Sequence, residues 1–214
     1  MKLRLSSTRS TAYEQVVAEL RVSYDAGAER RDHAAKQSWK LNERAAFLDR
    51  LRVAEAKTLL EVGAGTGQDS AWFQAQGLAV TAVDPSPQMA ARIEAKGVPA
   101  LVTDVLHLGL PESSFDAAYS LNALLHVPNA DLDDALRAVR TVLAPGGLFF
   151  LGVFGGEPAE GVAEDDSHVP ARFFSVRSDQ QMLSYAQKQF DILDFHVVEL
   201  PDGRRFQSLT LVRP

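Results

Sequence analysis

The spacing of apolar side chains changes character twice along the chain. Over residues 11–26, Val16, Val17, Leu20 and Tyr24 recur at helical spacing. Over 33–52, Trp39, Leu41, Ala45, Phe47, Leu48 and Leu51 make a second, less regular stripe. Both segments therefore predict helices. From Lys57 onward, short apolar runs alternate with helical patterns. Strands are predicted at Leu59–Val62, Ala79–Val83, Ala100–Val102, Phe115–Ser120 and Leu148–Phe154. Helices are predicted at Gln68–Gln76, Pro87–Ala95 and Leu132–Leu143. Ser86 followed by Pro87 is a helix start, a capping hydroxyl before a proline whose φ already suits the first turn. Strands alternating with helices imply a parallel sheet covered on both faces.

The last third differs. Gly155–Pro170 is rich in Gly, Pro and acids and reads as a loop. Ser178, with Gln181 placed for a capping box, opens a helix of about a dozen residues. Asp191–Leu200 and Arg205–Val212 read as strands, and the turn residues Pro201-Asp202-Gly203-Arg204 make them an antiparallel hairpin.

Length and charge narrow the function classes. A chain of 214 residues suits one domain of ordinary size, or two small ones. Its net charge of −6 argues against a nucleic-acid partner, which usually meets a basic face. The charge is unevenly spread: residues 1–52 carry a net +4 and residues 53–214 a net −10, so the first quarter is a distinct segment. Without cysteine there is no disulfide, thiolate metal site or Cys nucleophile. No apolar run approaches the length of a membrane span. Charges interrupt the first 25 residues where a signal peptide would be apolar. A cytoplasmic protein without a membrane partner is expected.

Chemistry concentrates in Leu59–Gln68, LLEVGAGTGQ, a strand followed by alternating glycines and a helix. Gly63, Gly65 and Gly67 permit a tight turn and close approach to a ligand. The plain alternative is a strand-to-helix turn with no ligand. Dinucleotide enzymes need G-x-G-x-x-G. Here Gln68 takes the third glycine's place and Gly67 comes one residue early. Asp69 then opens the helix, where its charge would repel a diphosphate. The spacing suits a cofactor without phosphates.

Leu59–Ser70 resembles the first motif of class I S-adenosylmethionine-dependent methyltransferases, and later motifs follow in the family's order. VTAVDP (Val80–Pro85) ends a second strand in an acid. LVTDVL (Leu101–Leu106) carries Asp104 after a third. FDAAYSLNALLHV (Phe115–Val127) resembles the fourth-strand region, and LAPGGL (Leu143–Leu148) the turn before the fifth. The resemblance covers roughly residues 57–154 by this motif order. It implies a Rossmann-like α/β fold with a seven-stranded, mostly parallel sheet, helices on both faces and the last strand antiparallel. It further implies an N-terminal helical cap (1–52), a cofactor-binding methyltransferase domain (53–214) and a lid insertion (155–175).

By the same resemblance, Gly63, Ala64, Gly65 and Gly67 would pass beside the ribose and methionine part of S-adenosylmethionine. Glu61 would help hold its ammonium. Asp84, followed by Pro85, would accept from the ribose hydroxyls. Asp104 would accept from the adenine amine while the backbone of Val105 reads the ring edge. Ser86 and Met89 would flank the adenine, and Asn122 would face the methionine end. Asp84 and Asp104 have an alternative role as helix caps or turn acids.

Methyl transfer from a sulfonium requires the nucleophile aligned at roughly 3 Å and water excluded. A base is needed only when the nucleophile carries a proton. His126, four residues after Asn122, is the candidate, with a histidine that only packs or binds substrate as its alternative. Tyr24, Trp39 and Lys40 on the cap, His126, and Arg172 beyond the acidic run Glu164-Asp165-Asp166 are candidate substrate residues. Trp39 has a second reading as an anchor of the cap. The other histidines lack metal-ligand spacing with His126, so no metal is expected. Signatures of the exocyclic-amine DNA methyltransferases and protein arginine methyltransferases are missing after the fourth strand. What remains is a small-molecule methyltransferase with an O, N or C acceptor, S-adenosylhomocysteine as product, and a monomeric or homodimeric state. A non-catalytic S-adenosylmethionine-binding protein and a nucleotide-binding oxidoreductase are the alternatives.

Overall fold

The computed structural model describes residues 5–6 and 12–214. Five strands run parallel: β2 (Thr58–Val62), β3 (Ala79–Asp84), β4 (Ala100–Val102), β5 (Phe115–Leu121) and β6 (Leu143–Gly155). With β9 (Asp191–Glu199) and β10 (Arg205–Val212) they form one sheet in the order β4-β3-β2-β5-β6-β10-β9. β10 alone runs opposite to the other six strands, so the expected fold class holds, including the hairpin. Adjacent residues along the central strands enter opposite cores. Leu60, Ala118 and Phe149 join one, while Leu59, Ala117 and Phe150 join the other. Burial on both faces is why these strands read as continuous apolar runs rather than alternating ones.

The helices α3 (Gln68–Ala75), α4 (Pro87–Glu94) and α5 (Leu132–Val142) lie where the patterns placed them, within a residue. Ser86 caps α4 by accepting from the Met89 amide at 3.0 Å, and Pro87 occupies the first turn. The last helix, α6 (Asp179–Ala186), begins with the expected capping box but is shorter than expected. β6 is longer than expected. Phe115 pairs with Leu143 and Ala117 with Leu148, so residues 144–147 bulge out of the ladder at the proline-glycine turn.

Three expectations change in the structure. The first helix, α1 (Tyr13–Asp32), runs through Gly27, which is buried, and does not stop at residue 26; its expected start at residue 11 lies outside the described residues. The second, α2 (Ser38–Val53), does not share α1's position. Its Phe47, Leu48 and Leu51 are buried in the sheet core against Phe73, Tyr119 and Phe150. The segment expected as a loop contains β7 (Ala159–Ala163). It pairs with β8 (Phe173–Val176) on one side and β1 (Leu5–Ser6) on the other, making a second, three-stranded sheet. Ala-Glu-Gly-Val-Ala carries little strand propensity, so only the pairing partners define it.

α1 spans the carboxyl end of the large sheet. The Tyr13 hydroxyl donates to Asp104 at 2.9 Å, and Asp25 accepts from the Ser86 hydroxyl and the Gln88 amide. Asp32 pairs with Lys96 at 2.6 Å. Val16 and Leu20 pack on Phe173 of β8. No helix among the described residues is long and apolar enough to cross a membrane.

Candidate active site

The strand order reverses between β2 and β5, and a crevice opens there at the carboxyl ends, as open α/β sheets require. It holds a cavity of ≈ 300 Å³ roofed by α1. Two glycines of the loop after β2 serve different ends. Gly63 has φ +71°, and a Cβ there would stand 2.2 Å from the Cβ of Ala123. Gly65 has φ +56° and faces open space at the cavity. The first lets two backbones close up; the second leaves room for a ligand.

Of the residues expected at the site, Glu61, Gly63, Ala64, Gly65, Asp84, Pro85, Met89, Asp104, Val105, Asn122, His126, Tyr24 and Lys40 line this one cavity. Asp84 ends β3 and is buried. It accepts from the Gly65 amide at 2.8 Å and the Ser86 amide at 2.9 Å, one to each oxygen. Each oxygen keeps a free lone pair. Burial pushes its carboxyl up to about 6, so further donors or a cation are what the group lacks. Glu61 is also buried, with the Ser70 hydroxyl donating to one oxygen. Burial first, then the nearby Asp69, holds its carboxyl well above the usual range. Asn122 adopts φ +58°, and its buried Oδ1 has no hydrogen-bond partner. An unpaired acceptor in a cavity wall points to a donor on a ligand.

Four expected residues do not line the cavity: Gly67, Ser86, Trp39 and Arg172. Gly67 caps α3, where a Cβ would press on Ile93 at 2.8 Å. Ser86 is fully buried, and its hydroxyl is used twice, on the Met89 amide and on Asp25, so it cannot flank a ring. Trp39 packs on Phe206, with centroids 4.5 Å apart, and on Phe154, the anchoring role. Arg172 is ion-paired with Asp166 at 2.8 Å and donates to the Tyr24 hydroxyl oxygen at 3.4 Å without itself lining the cavity. The acidic run is thus divided: Glu164 and Asp165 are exposed, while Asp166 turns inward.

Asp104 has both readings at once. It lines the cavity, yet Oδ1 already accepts from the Tyr13 hydroxyl and the Leu106 amide, while His107 Nδ1 lies 3.0 Å from Oδ2. The charge expected to repel a diphosphate is also neutralised. Asp69 pairs with Lys36 at 2.6 Å and Arg44 at 2.7 Å, cations that no local pattern connected to it.

His126 ends a single 3-10 turn, Leu124–His126. Its Nδ1 lies 2.6 Å from the Phe173 carbonyl, which can only accept, so Nδ1 carries the proton. Nε2 therefore accepts from the Tyr24 hydroxyl at 2.7 Å. Burial, with Arg172 and Arg31 nearby, drives the imidazole down to about 3. Both nitrogens are committed and the cationic form is disfavoured, so this ring is a poor proton acceptor near neutral pH. That corrects the expectation of a general base. The folded pKa lies below the unfolded value of about 6.5, so the neutral ring's contribution is full above that pH and is lost as pH falls toward 3. The stability difference between wild type and His126→Gln should shrink by about 1.4 kcal/mol per pH unit below 6.5. Parallel urea titrations at several pH values check this; a difference independent of pH would show that the ring protonates freely.

Sequence reasoning missed Tyr13, Arg31 and Lys36 on the cavity wall. Tyr13 begins a helical stripe and was legible as apolar; the two cations left no local signal.

Residues 60–151 match the family model described as methyltransferase domain. Among curated proteins, methyltransferase GfsG of Streptomyces halstedii is 30% identical over 108 residues, 46% of this chain and 38% of that protein. Malonyl-acyl-carrier-protein O-methyltransferase of Halorhodospira halophila is 34% identical over 152 residues, 64% of this chain and 48% of that protein. The chain thus spans less than half the length of each. Two solved structures share the fold along nearly its whole length. One is the 1,6-didemethyltoxoflavin N1-methyltransferase of Burkholderia thailandensis, with bound 1,6-didemethyltoxoflavin and S-adenosylhomocysteine. It has TM-score 0.80 and 22% identity, and the match covers 99% of this chain and 94% of that one. The other is the cyclase SpnF, with TM-score 0.70 and 19% identity, covering 98% and 99%. The chain is thus similar to methyltransferases over its central 92 residues, and it shares the fold of these two structures along nearly its whole length.

Proposed function

We propose that the protein transfers a methyl group from S-adenosylmethionine to an O, N or C nucleophile of a small molecule. The observation that carries this reading is Asp84, a buried carboxylate with two unused lone pairs at the cavity beside the open face of Gly65. A ribose diol supplies the two donors such a group lacks. Glu61 meets an ammonium, which favours its ionised form. Asn122 Oδ1 accepts a further donor near the methionine end. The free side of Asp104 accepts from the adenine amine, with the backbone of Val105 at the ring edge and Met89 against its face, where a polarizable thioether suits a flat ring. When bound, the cofactor supplies a methyl group on a sulfonium, taken in line by the nucleophile while the C–S electron pair returns to sulfur.

Under this reading α1 and the β7–β8 hairpin with its loop cover the acceptor, and residues 53–214 form the catalytic domain. The protein works in the cytoplasm, as a monomer or homodimer, without nucleic-acid or membrane partners. Calorimetry tests the cofactor: S-adenosylhomocysteine is expected to bind and NAD is not, and the reverse result would return the chain to the oxidoreductases. Turnover to S-adenosylhomocysteine with a panel of small acceptors tests catalysis. Binding without turnover across the panel would favour a role like that of the cyclase SpnF, whose fold this chain matches end to end.

A further inference from the structure

We propose that Arg31 and Tyr24 form an anion subsite for the methyl acceptor, so that the acceptor is a small molecule with an ionisable O–H or N–H, bound as its anion. The inference rests on the methyltransferase reading above and deepens it. Arg31 lines the cavity and is only partly exposed, yet its guanidinium has no hydrogen bond and no ion pair among the described residues. Its Nε is buried without a partner. Among the described residues it stacks over the Tyr24 ring, 4.5 Å from the centroid, which orients it. A half-buried guanidinium is normally paired with a carboxylate or phosphate in its fork geometry. Arg172, the next guanidinium along, shows the contrast: Asp166 takes it with Nε, Nη2 and the backbone amide.

The groups around Arg31 come from every packed element. Arg30 and Tyr24 share its helix, Arg172 and His168 belong to the β7–β8 loop, and Lys40 lies on α2. Asp84 ends β3, and His126 stands behind Tyr24. Asp84 acts on Arg31 through space but makes no ion pair with it, and Arg30, Arg172 and Lys40 are its cationic neighbours, so the partner missing in contact with the guanidinium is an anion. Tyr24 adds direction. Its proton is held by His126 Nε2 and Arg172 Nη1 donates to its oxygen at 3.4 Å, which leaves the Tyr24 oxygen one lone pair for a donor adjoining the anionic atom. His126 is therefore a positioning residue, fixed by the Phe173 carbonyl. Nothing around the acceptor needs to remove a proton: the proton goes to solvent before binding, the freed lone pair forms the new bond to carbon, and the product leaves neutral.

The test uses the full chain loaded with S-adenosylhomocysteine and 4-nitrophenol as probe, whose anion and neutral form differ in absorbance. An opposite charge within about 4–6 Å lowers an acid's pKa by about 1–3 units, so the bound probe should ionise at least tenfold more readily than the free one. Arg31→Gln should abolish that shift while S-adenosylhomocysteine affinity changes less than about threefold. Arg31→Lys should restore part of it, and Tyr24→Phe should weaken probe binding without removing the shift; these two also keep the test open if the Gln variant misfolds. Failure of the probe to bind, an unshifted pKa, or a shift that survives in Arg31→Gln would each overturn the proposal. So would a loss of S-adenosylhomocysteine affinity in that variant with 5′-methylthioadenosine affinity unchanged, because Arg31 would then hold the cofactor's own carboxylate. Failure of the wild type to bind S-adenosylhomocysteine would instead remove the methyltransferase reading itself.

Discussion

Asp84→Asn should weaken S-adenosylhomocysteine binding by about 1.5–3 kcal/mol, the range for hydrogen bonds to a charged acceptor, or roughly tenfold to a hundredfold in Kd. Asn is the informative variant. Its amide oxygen can still accept from one of the two backbone amides that position the group, so the loop keeps much of its support. Alanine would strip both and mix a folding defect with a binding defect. The same carboxylate gives a pH test with a definite sign. Its pKa is raised to about 6 by burial, and only the ionised form can accept from two hydroxyls. Cofactor affinity should therefore fall as pH drops below 6 in the wild type, and much less in Asp84→Asn. Calorimetry across pH reads both; equal Kd values for the two proteins would take Asp84 out of the binding site.

Arg177→Met should cost about 3 kcal/mol of folding stability. Arg177 is fully buried and has no ion-pair partner among the described residues. Its Nε donates to Asn129 Oδ1 at 2.7 Å and Nη2 to the Val127 carbonyl at 2.6 Å, and Nη1 reaches the carbonyls of Leu124 and Ser175. Leu124 and Val127 bracket the 3-10 turn carrying His126, so the guanidinium fastens the segment behind Tyr24 to β8. Methionine fills the volume but takes the close donors away from Asn129 Oδ1 and the Val127 carbonyl, each at a cost of about 1–3 kcal/mol. Release of the charge from burial offsets part of that. For a chain of this size the melting temperature should drop by roughly 6–12 °C. Urea unfolding checks the free energy. A variant within 0.5 kcal/mol of wild type, about the scatter of neutral surface changes, would show that water takes over these carbonyls.

The two effects differ in how visible they are from residue order alone. Asp84 was legible because a strand ending in an acid at a fixed distance from a glycine loop is a local pattern, and local patterns carry the chemistry of the carboxyl edge. The same holds for Glu61, Gly63, Gly65 and Asn122, all within a few residues of a strand end. The strand and helix succession was legible for a related reason: doubly covered strands are apolar throughout, and Ser86-Pro87 and Ser178–Gln181 mark helix starts by their own hydrogen bonds. Arg177 carries no such mark. Three of its four partners lie 48 to 53 residues away, and a lone arginine before a helix cap looks like any solvated cation.

Tertiary structure alone decided which face each remaining side chain serves. Trp39 and Lys40 are neighbours in sequence, yet one anchors α2 on Phe206 and the other lines the cavity. Ser86 had the right neighbours for a ligand contact but is consumed as a cap and as a donor to Asp25, a partner 61 residues earlier. β7 exists only because β1 and β8 pair with it. The residues themselves determined the sheet, its glycine turn and the acids at its carboxyl edge, since these depend on backbone geometry within a few positions. They did not determine that His126 would have both nitrogens occupied or that Arg31 would lack an ion-pair partner among the described residues. Those facts depend on Tyr24, Phe173 and Asp166 arriving from distant segments, and burial, which sets the charge each group can hold, is a property of the assembled molecule.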